Sequence, residues 1–337
     1  MNKRIKKFTF IDLFSGSGGM TLGFENKGFQ NIFSLDNESS YNKTYSMNFP
    51  THNLIEKNIE ELTANEINDA VGGKEIDVII GGPPCQGFSM AGNIGRRFVD
   101  DPRNHLFKEF ARVVNIIKPK MFVMENVARL YSHNNGETRK EIITLFEKYG
   151  YKVDCKILHA ENYGVPQKRK RVFFIGNRIG ANNTFPEPTH TKYVTVEEAI
   201  GDLPVLSSGQ NSIIPNHEAM THTEQMLTKM KYVTEGGSKI QIPLKLRPLG
   251  GDVRKYIRYS RNMPSFCVTG DMRKIFHYLQ NRALSVRELA RLQSYPDSFI
   301  FYGNKISQQQ QVGNSVPPLL AESVAVEVSN ILSTHAE

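Results

Sequence analysis

Four groups of residues have types and spacings suited to chemistry. The first is Asp77-Val-Ile-Ile-Gly81-Gly82-Pro83-Pro84-Cys85-Gln86-Gly87-Phe88-Ser89, which puts a cysteine just past an apolar run. Two glycines and two prolines fix a rigid turn there and polar residues follow, so the Cys85 sulfur is expected at a cleft. An exposed thiolate could act as a nucleophile if a cation or a helix N-terminus lowers its pKa. Cys155 and Cys267 instead read as small core hydrophobes, the usual fate of a free cysteine. The second group is Glu125-Asn126-Val127, which follows the apolar run Lys120–Met124 in the same way. The commoner fate of such a lone glutamate is a surface carboxylate at a strand end. In the third, Gln167-Lys168-Arg169-Lys170-Arg171, strand alternation puts Arg169 and Arg171 on one face. The run is either solvated, or a pair of guanidiniums fixing a carboxylate and a phosphate or carbonyl.

The fourth is a glycine turn. Phe10-Ile11-Asp12-Leu13-Phe14-Ser15-Gly16-Ser17-Gly18-Gly19 reads as a strand entering a turn, with a helix over Met20–Lys27. Glycines let the backbone approach a ligand closely at the carboxyl edge of a sheet. Gly16 and Gly18 fit the dinucleotide fingerprint, but Thr21 stands where its third glycine should be, and a plain tight turn is the alternative. Asp36 ends the next apolar run, where an acid can accept hydrogen bonds from ribose hydroxyls. Turn and acid together support an adenosine-bearing cofactor without naming one.

Positioning these groups requires alternating strands and helices. Lys7–Leu13, Asn31–Asp36, Ile76–Gly81, Lys120–Glu125 and Arg171–Gly176 have the apolar, β-branched or aromatic character of strands, while Asn104–Ile117 and Val316–Leu332 carry helical periodicity. Capping-box patterns start helices at Thr63…Glu66, Thr138…Glu141, Thr195…Glu198 and Ser285…Glu288. The alternation predicts a doubly wound, mostly parallel α/β sheet. From Thr184 to Met263 the rhythm stops and Pro, Gly, Ser and Asn dominate, which puts a domain boundary near Asn182–Thr189.

The 337 residues suit about two domains. No apolar run approaches the ~18 residues of a membrane span, and the basic start before Phe8 reads as the approach to a first strand, not a signal peptide. Three widely spaced cysteines form neither a disulfide framework nor a zinc site, so a reducing cytoplasm and no metal are expected. The net charge of +8 is uneven. Asp36–Asp77 carries a net −6, Lys152–Arg178 a net +5 and Lys229–Arg261 a net +7. Charge runs are often only solvated faces. Interleaving with Tyr232, Tyr256 and Tyr259 and with Gly and Pro favours a loop that follows a polyanion.

Taken in order, Phe-Ser-Gly-Ser-Gly-Gly, Pro-Pro-Cys-Gln-Gly-Phe-Ser, Glu-Asn-Val, Gln-x-Arg-x-Arg, Arg287-Glu-Leu-Ala-Arg-Leu-Gln293 and Gln311-Val-Gly-Asn-Ser-Val-Pro317 resemble the cytosine-C5 DNA methyltransferases of bacterial restriction–modification systems over about residues 8–332. The resemblance implies a Rossmann-like S-adenosylmethionine-dependent methyltransferase sheet formed by residues 1–185 and 306–337, and a smaller irregular target-recognition domain, 186–305. It implies S-adenosyl-L-methionine as cofactor, near Phe14, Gly16, Gly18, Asp36, Asn37, Asn58, Ile59, Pro83, Leu106 and Asn314. Two positions depart from the family pattern: Asn58 stands where an aspartate often contacts the adenine, and Asn37 where many members stack a tryptophan. In the implied reaction the Cys85 thiolate attacks C6 of a flipped cytosine, and Glu125 neutralises charge developing at N3. Arg169 and Arg171 hold the carboxylate, the O2 edge and a phosphate, and Gln86–Arg103 forms a lid.

Double-stranded DNA is the expected partner, contacted by Gln86, Ser89, Lys229, Lys231, Lys245, Arg247, Arg254, Lys255, Arg258 and Arg261, and the chain is expected to be monomeric. Alternatives are an RNA (tRNA) cytosine methyltransferase, a solitary regulatory methylase and a silent DNA-binding paralogue. Intact Cys85, Glu125, Arg169 and Arg171 disfavour the last. An NAD(P) oxidoreductase would leave the cysteine motif unexplained.

Overall fold

The computed structural model describes residues 7–84, 106–249 and 255–335. The chain divides into two compact units, one of Met1–His159, Lys170–Glu187 and Leu320–Glu337, the other of Ala160–Arg169 and Pro188–Leu319.

The first unit is built on a seven-stranded sheet of β1 (Thr9–Leu13), β2 (Gln30–Asp36), β3 (Leu54–Glu56), β4 (Val78–Gly81), β5 (Met121–Val127), β6 (Lys152–His159) and β7 (Lys170–Asn177). Their spatial order is β3-β2-β1-β4-β5-β7-β6. β1 to β5 pair in parallel, and β7 runs antiparallel between β5 and β6. Parallel strands with helices on both faces must be apolar on both sides. On one face Ile11, Leu13, Phe33, Ile79 and Phe122 share a cluster with residues of α3 (Ala64–Val71), α4 (Leu106–Ile117) and α5 (Glu137–Lys148). On the other, Phe10 meets Phe24 of α1 (Gly19–Asn26) with ring centroids 5.9 Å apart. α2 (Ser39–Asn48) joins β2 to β3, and most of the long C-terminal helix, α10 (Pro318–Thr334), also belongs here.

All five expected strands form, with ends displaced by a few residues. Two further strands escaped the apolar criterion. β3 has only three residues, and β6 alternates exposed Lys152 and Asp154 with buried Val153, the pattern of an edge strand and not of a buried run. The capping boxes at Thr63, Thr195 and Ser285 all close. That at Thr138 does not. Gly136 at φ 89° starts α5 two residues earlier, and the Thr138 hydroxyl lies 2.7 Å from His133 Nδ1.

The second unit is mostly irregular. It contains the short α6 (Val196–Ile200), α7 (Glu224–Tyr232), α8 (Val286–Leu292), α9 (Lys305–Asn314) and a two-stranded pair, β8 (Ile257–Arg258) with β9 (Ile275–Phe276). Ala160–Arg169 and residues 306–319, expected with the sheet, cluster here. Long-range contacts draw them in: the Arg169 side chain binds carbonyls of 268, 313 and 315, and a Cβ at Gly313 would lie 2.3 Å from the Thr269 carbonyl carbon. Among the described residues no helix is long and apolar enough to cross a membrane.

Candidate active site

The carboxyl end of β1 delivers the glycine turn. Phe14, Gly16 and Gly18 take φ of 62°, 55° and 94°, so the chain reverses through left-handed conformations that glycine adopts cheaply. Gly18 also has no room for a side chain, because a Cβ there would come within 2.4 Å of the Phe49 ring. A Cβ at Gly16 would meet nothing nearer than Tyr41 at 4.0 Å, so the space beside that residue is open. Asp36, at the end of β2, accepts from the Gly16 amide at 2.8 Å and from the Glu38 amide at 2.9 Å. Burial raises its pKa, and those two amides oppose the rise. Asn37 is exposed. The Asn58 side chain accepts from the Glu60 amide at 3.2 Å and so caps the turn 59–61, while Ile59 is buried in the core cluster. Leu106 opens α4 and is half-buried.

Beneath the turn lies a group to which none of the four motifs gives a role. Asp12 is buried in β1, one residue before its carboxyl end, and accepts from Thr21 Oγ1 at 2.6 Å. Thr21 lies 3.3 Å from the Tyr45 hydroxyl, which in turn lies 2.6 Å from Ser34 Oγ and 3.0 Å from His52 Nδ1. His52 Nε2 lies 2.8 Å from Glu25 Oε1. Thr21 is therefore no failed glycine; it is the partner of a buried carboxylate. Burial raises the Asp12 pKa to about 7. The available sequence signal was an acid within an apolar strand, four residues before Gly16.

The second focus is at the ends of β4 and β5. Glu125 is on β5, and its Oε1 lies 2.7 Å from Arg171 Nε. The antiparallel register pairs Arg171 with Val127, which makes Glu125 its diagonal neighbour on the same face. Gly82 allows this carboxylate to approach, since a Cβ on it would lie 3.1 Å from Glu125 Oε2. Asn126 Nδ2 donates to the Pro83 carbonyl at 2.9 Å. The Glu-Asn pair is thus locked to the Gly-Pro turn that leads to Cys85. Cys85, Gln86, Ser89 and Arg254, and the expected lid up to Arg103, lie outside the described residues.

Arg169 corrects the expectation of a paired guanidinium. It precedes β7, is buried, and donates to the carbonyls of Val268 at 2.9 Å, Gly313 at 2.9 Å and Ser315 at 2.8 Å. Gln167, also buried, donates to the Leu292 carbonyl and accepts from the Val268 amide. Both are structural members of the second unit, where Asn314 is exposed at the end of α9.

The basic run needs a similar correction. Arg258 is buried and donates to the carbonyls of Met230, Val233, His277 and Gln280 and to Asn281 Oδ1. It closes the C-terminus of α7, with its guanidinium engaged by groups of the second unit. Arg247 donates to the carbonyls of Ile240 and Ile242, Lys255 pairs with Asp271, and Arg261 pairs with Glu235 and Glu197. Tyr256 and Tyr259 are buried; of the three tyrosines only Tyr232 is exposed. Lys229, Lys231 and Lys245 form no ion pair with any described residue, and Lys231 and Lys245 are exposed.

A family model described as C-5 cytosine-specific DNA methylase matches residues 8–330. The chain belongs to the C-5 cytosine-specific DNA methylases. It is 59% identical over 320 residues to the Type II methyltransferase M1.HphI of Haemophilus parahaemolyticus, covering 95% of this chain and 86% of that protein. It is 35% identical to the Type II methyltransferase M.DdeI of Desulfomicrobium norvegicum, covering 95% and 88%. A crystal structure described as a DNA modification methyltransferase encoded within an E. coli prophage superposes with a TM-score of 0.82 at 26% identity, covering 97% of this chain and all of that one. The methylase is therefore a DNA cytosine-C5 methyltransferase on the mixed, mostly parallel sheet of its structural neighbours.

Proposed function

We propose that the methylase transfers the methyl group of S-adenosyl-L-methionine to C5 of a cytosine flipped out of duplex DNA, and that it protects host DNA in a restriction–modification system. The observation that carries the catalytic reading is the Glu125–Arg171 pair over Gly82, beside the turn that leads to Cys85. The open space at Gly16 and the Asp36 carboxylate fit an adenosine-bearing cofactor, with Phe14 and Gly18 shaping the turn and Asp36 meeting the ribose. When bound, this cofactor supplies an electrophilic methyl on a sulfonium centre.

Cytosine C5 is a poor nucleophile until electrons enter the ring. The Cys85 thiolate adds to C6, forming a C–S bond. Arg171 fixes Glu125 so that the carboxyl group meets N3 and stabilises charge developing there. C5, made nucleophilic by that addition, would then take the methyl in line as the S–CH3 bond breaks and the sulfur leaves as a neutral thioether, helped by proximity. Loss of the C5 proton and β-elimination restore the aromatic ring and release Cys85. The target atom is out of reach in a stacked duplex, so the base must leave the helix, at a cost of a few kcal/mol. DNA contacts made by the second unit would offset that cost.

The test is incubation of purified protein with S-adenosyl-L-methionine and either duplex DNA or tRNA, read by bisulfite sequencing. Duplex DNA should acquire 5-methylcytosine and tRNA should not. Cys85→Ser should abolish transfer while specific DNA binding persists; wild-type turnover in that variant would remove the nucleophile from the mechanism.

A further inference from the structure

The segment 239–247 in the second unit combines exposed apolar side chains with a rigid backbone. Ile240 and Leu244 are 72% and 78% exposed, whereas Ile242 between them is fully buried. Ile242 sits in a cluster with Met230, Val233, Tyr256 and Phe276, and Leu246 packs against it. The Leu246 and Arg247 amides both donate to the Pro243 carbonyl, at 2.8 and 2.9 Å. The Arg247 side chain reaches back to the carbonyls of Ile240 and Ile242. Gln241 and Thr234 exchange two hydrogen bonds, at 2.8 and 3.0 Å. The loop is therefore held from inside while it presents two large apolar groups to solvent.

Its charge is equally one-sided. Lys239 and Lys245 flank the exposed apolar pair and, like Lys229 and Lys231 on α7, form no ion pair with any described residue. α7 contributes Met226, Leu227 and Met230 to the same cluster. From Glu224 to Leu249 the acids are Glu224 and Glu235, and Glu235 is taken by Arg261. A second copy of this surface would meet like charge, whereas a phosphate backbone would meet its complement.

We propose that the loop 239–247 is a DNA-reading knob, in which Lys239 and Lys245 contact phosphates and Ile240 and Leu244 contact base-pair edges in a groove, thereby setting which sequence is methylated. The inference rests on the reading of the chain as a methyltransferase of duplex DNA and assigns the surface that selects the site. Apolar side chains discriminate through contacts such as that with the thymine methyl. Pre-ordering of the backbone lowers the cost of fixing them there.

The experiment uses the full chain and a random-sequence duplex library, read by bisulfite sequencing, with Ile240→Ala and Leu244→Ala compared against Ile213→Ala. Ile213 is 98% exposed in the same unit with no Lys or Arg within four residues, so it controls for loss of any exposed apolar group. Either loop variant should lower methylation of the preferred sequence by about tenfold or relax at least one base position. Cofactor binding and Tm should hold, and Ile213→Ala should behave as wild type. Lys239→Gln and Lys245→Gln should each reduce the slope of log affinity against log salt by about one. The same sequence methylated at the same rate by both loop variants overturns the base contacts, as does an equal loss in Ile213→Ala. Unchanged salt slopes overturn the phosphate contacts. If wild type modifies no duplex at all, the parent reading fails instead.

Discussion

Towards the carboxyl ends of β1, β2 and β5, the described acids each answer a specific neighbour. Asp36 accepts from the Gly16 and Glu38 amides, Asp12 accepts from the Thr21 hydroxyl, and Glu125 pairs with the Arg171 guanidinium. In the basic segment of the second unit, density of charge in the sequence does not become density of charge at the surface. Among its described arginines, Arg258 turns inward onto carbonyls, Arg247 binds carbonyls of its own loop and Arg261 pairs with local acids, while Lys231 and Lys245 stay exposed. The difference follows from side-chain chemistry. A planar guanidinium with five donors can satisfy several converging carbonyls, whereas an ammonium is strongly hydrated and resists burial. A net +7 over 33 residues therefore overstates the charge offered to DNA, and the lysines are the better guide to it.

That contrast can be broken most severely at Arg258. Arg258→Ala leaves four backbone carbonyls without their donor, and should lower unfolding free energy by about 3–5 kcal/mol in chemical denaturation. A variant that keeps its stability but loses DNA affinity would return Arg258 to the surface role. Next come the two arginines of the Gln-x-Arg-x-Arg run. Arg171→Ala should reduce turnover about 100-fold with cofactor affinity retained, as expected when a proton-transfer group loses its orientation. Arg169→Ala should act chiefly on thermal stability, and the reverse pattern would exchange their assignments.

Asp12 tests the sheet side. Its pKa in the folded state, about 7, lies above the ordinary value of 3.8, so ionisation opposes folding. Its contribution is fully favourable below pH 4 and is lost as pH rises through 7. Asp12→Asn should therefore gain stability relative to wild type across that window, in denaturation curves taken between pH 4 and 8. A constant difference would mean that the carboxyl group does not titrate there. The smallest effects belong to Lys229→Ala and Lys231→Ala. Each should change stability by less than about 0.5 kcal/mol and the salt slope of DNA binding by about one. Larger losses of stability would place these lysines with the arginines.

Local signals made much of this legible. The glycine turn, the acid ending β2 and the Glu-Asn pair ending β5 are all read from an apolar run followed by a change in chemistry, and three of four capping boxes form where Ser or Thr precedes Glu by three. What was hidden depends on distant residues. Nothing near Arg169 reveals that its partners lie about 100 and 145 positions away. The inward turn of Arg258 likewise requires the end of α7 and the loop after β9 to converge on it. Asp12 stands out in the sequence as an acid within an apolar strand, but its meaning depends on Thr21, which by the fingerprint alone reads as a missing glycine.

One of the two sheet strands that apolar patterning misses, β6, has a consequence for how the protein behaves in a crowded cell. β6 lies at the margin of the sheet, where unpaired backbone groups invite another chain to add on. Its outward Lys152 and Asp154 are tied to Asn182 and Asn183, and Asn183 also donates to the Lys152 carbonyl. Lys156 reaches Glu187 along the same border. The charges that disguised the strand thus guard it against self-association, and stripping them should favour aggregation long before it disturbs catalysis.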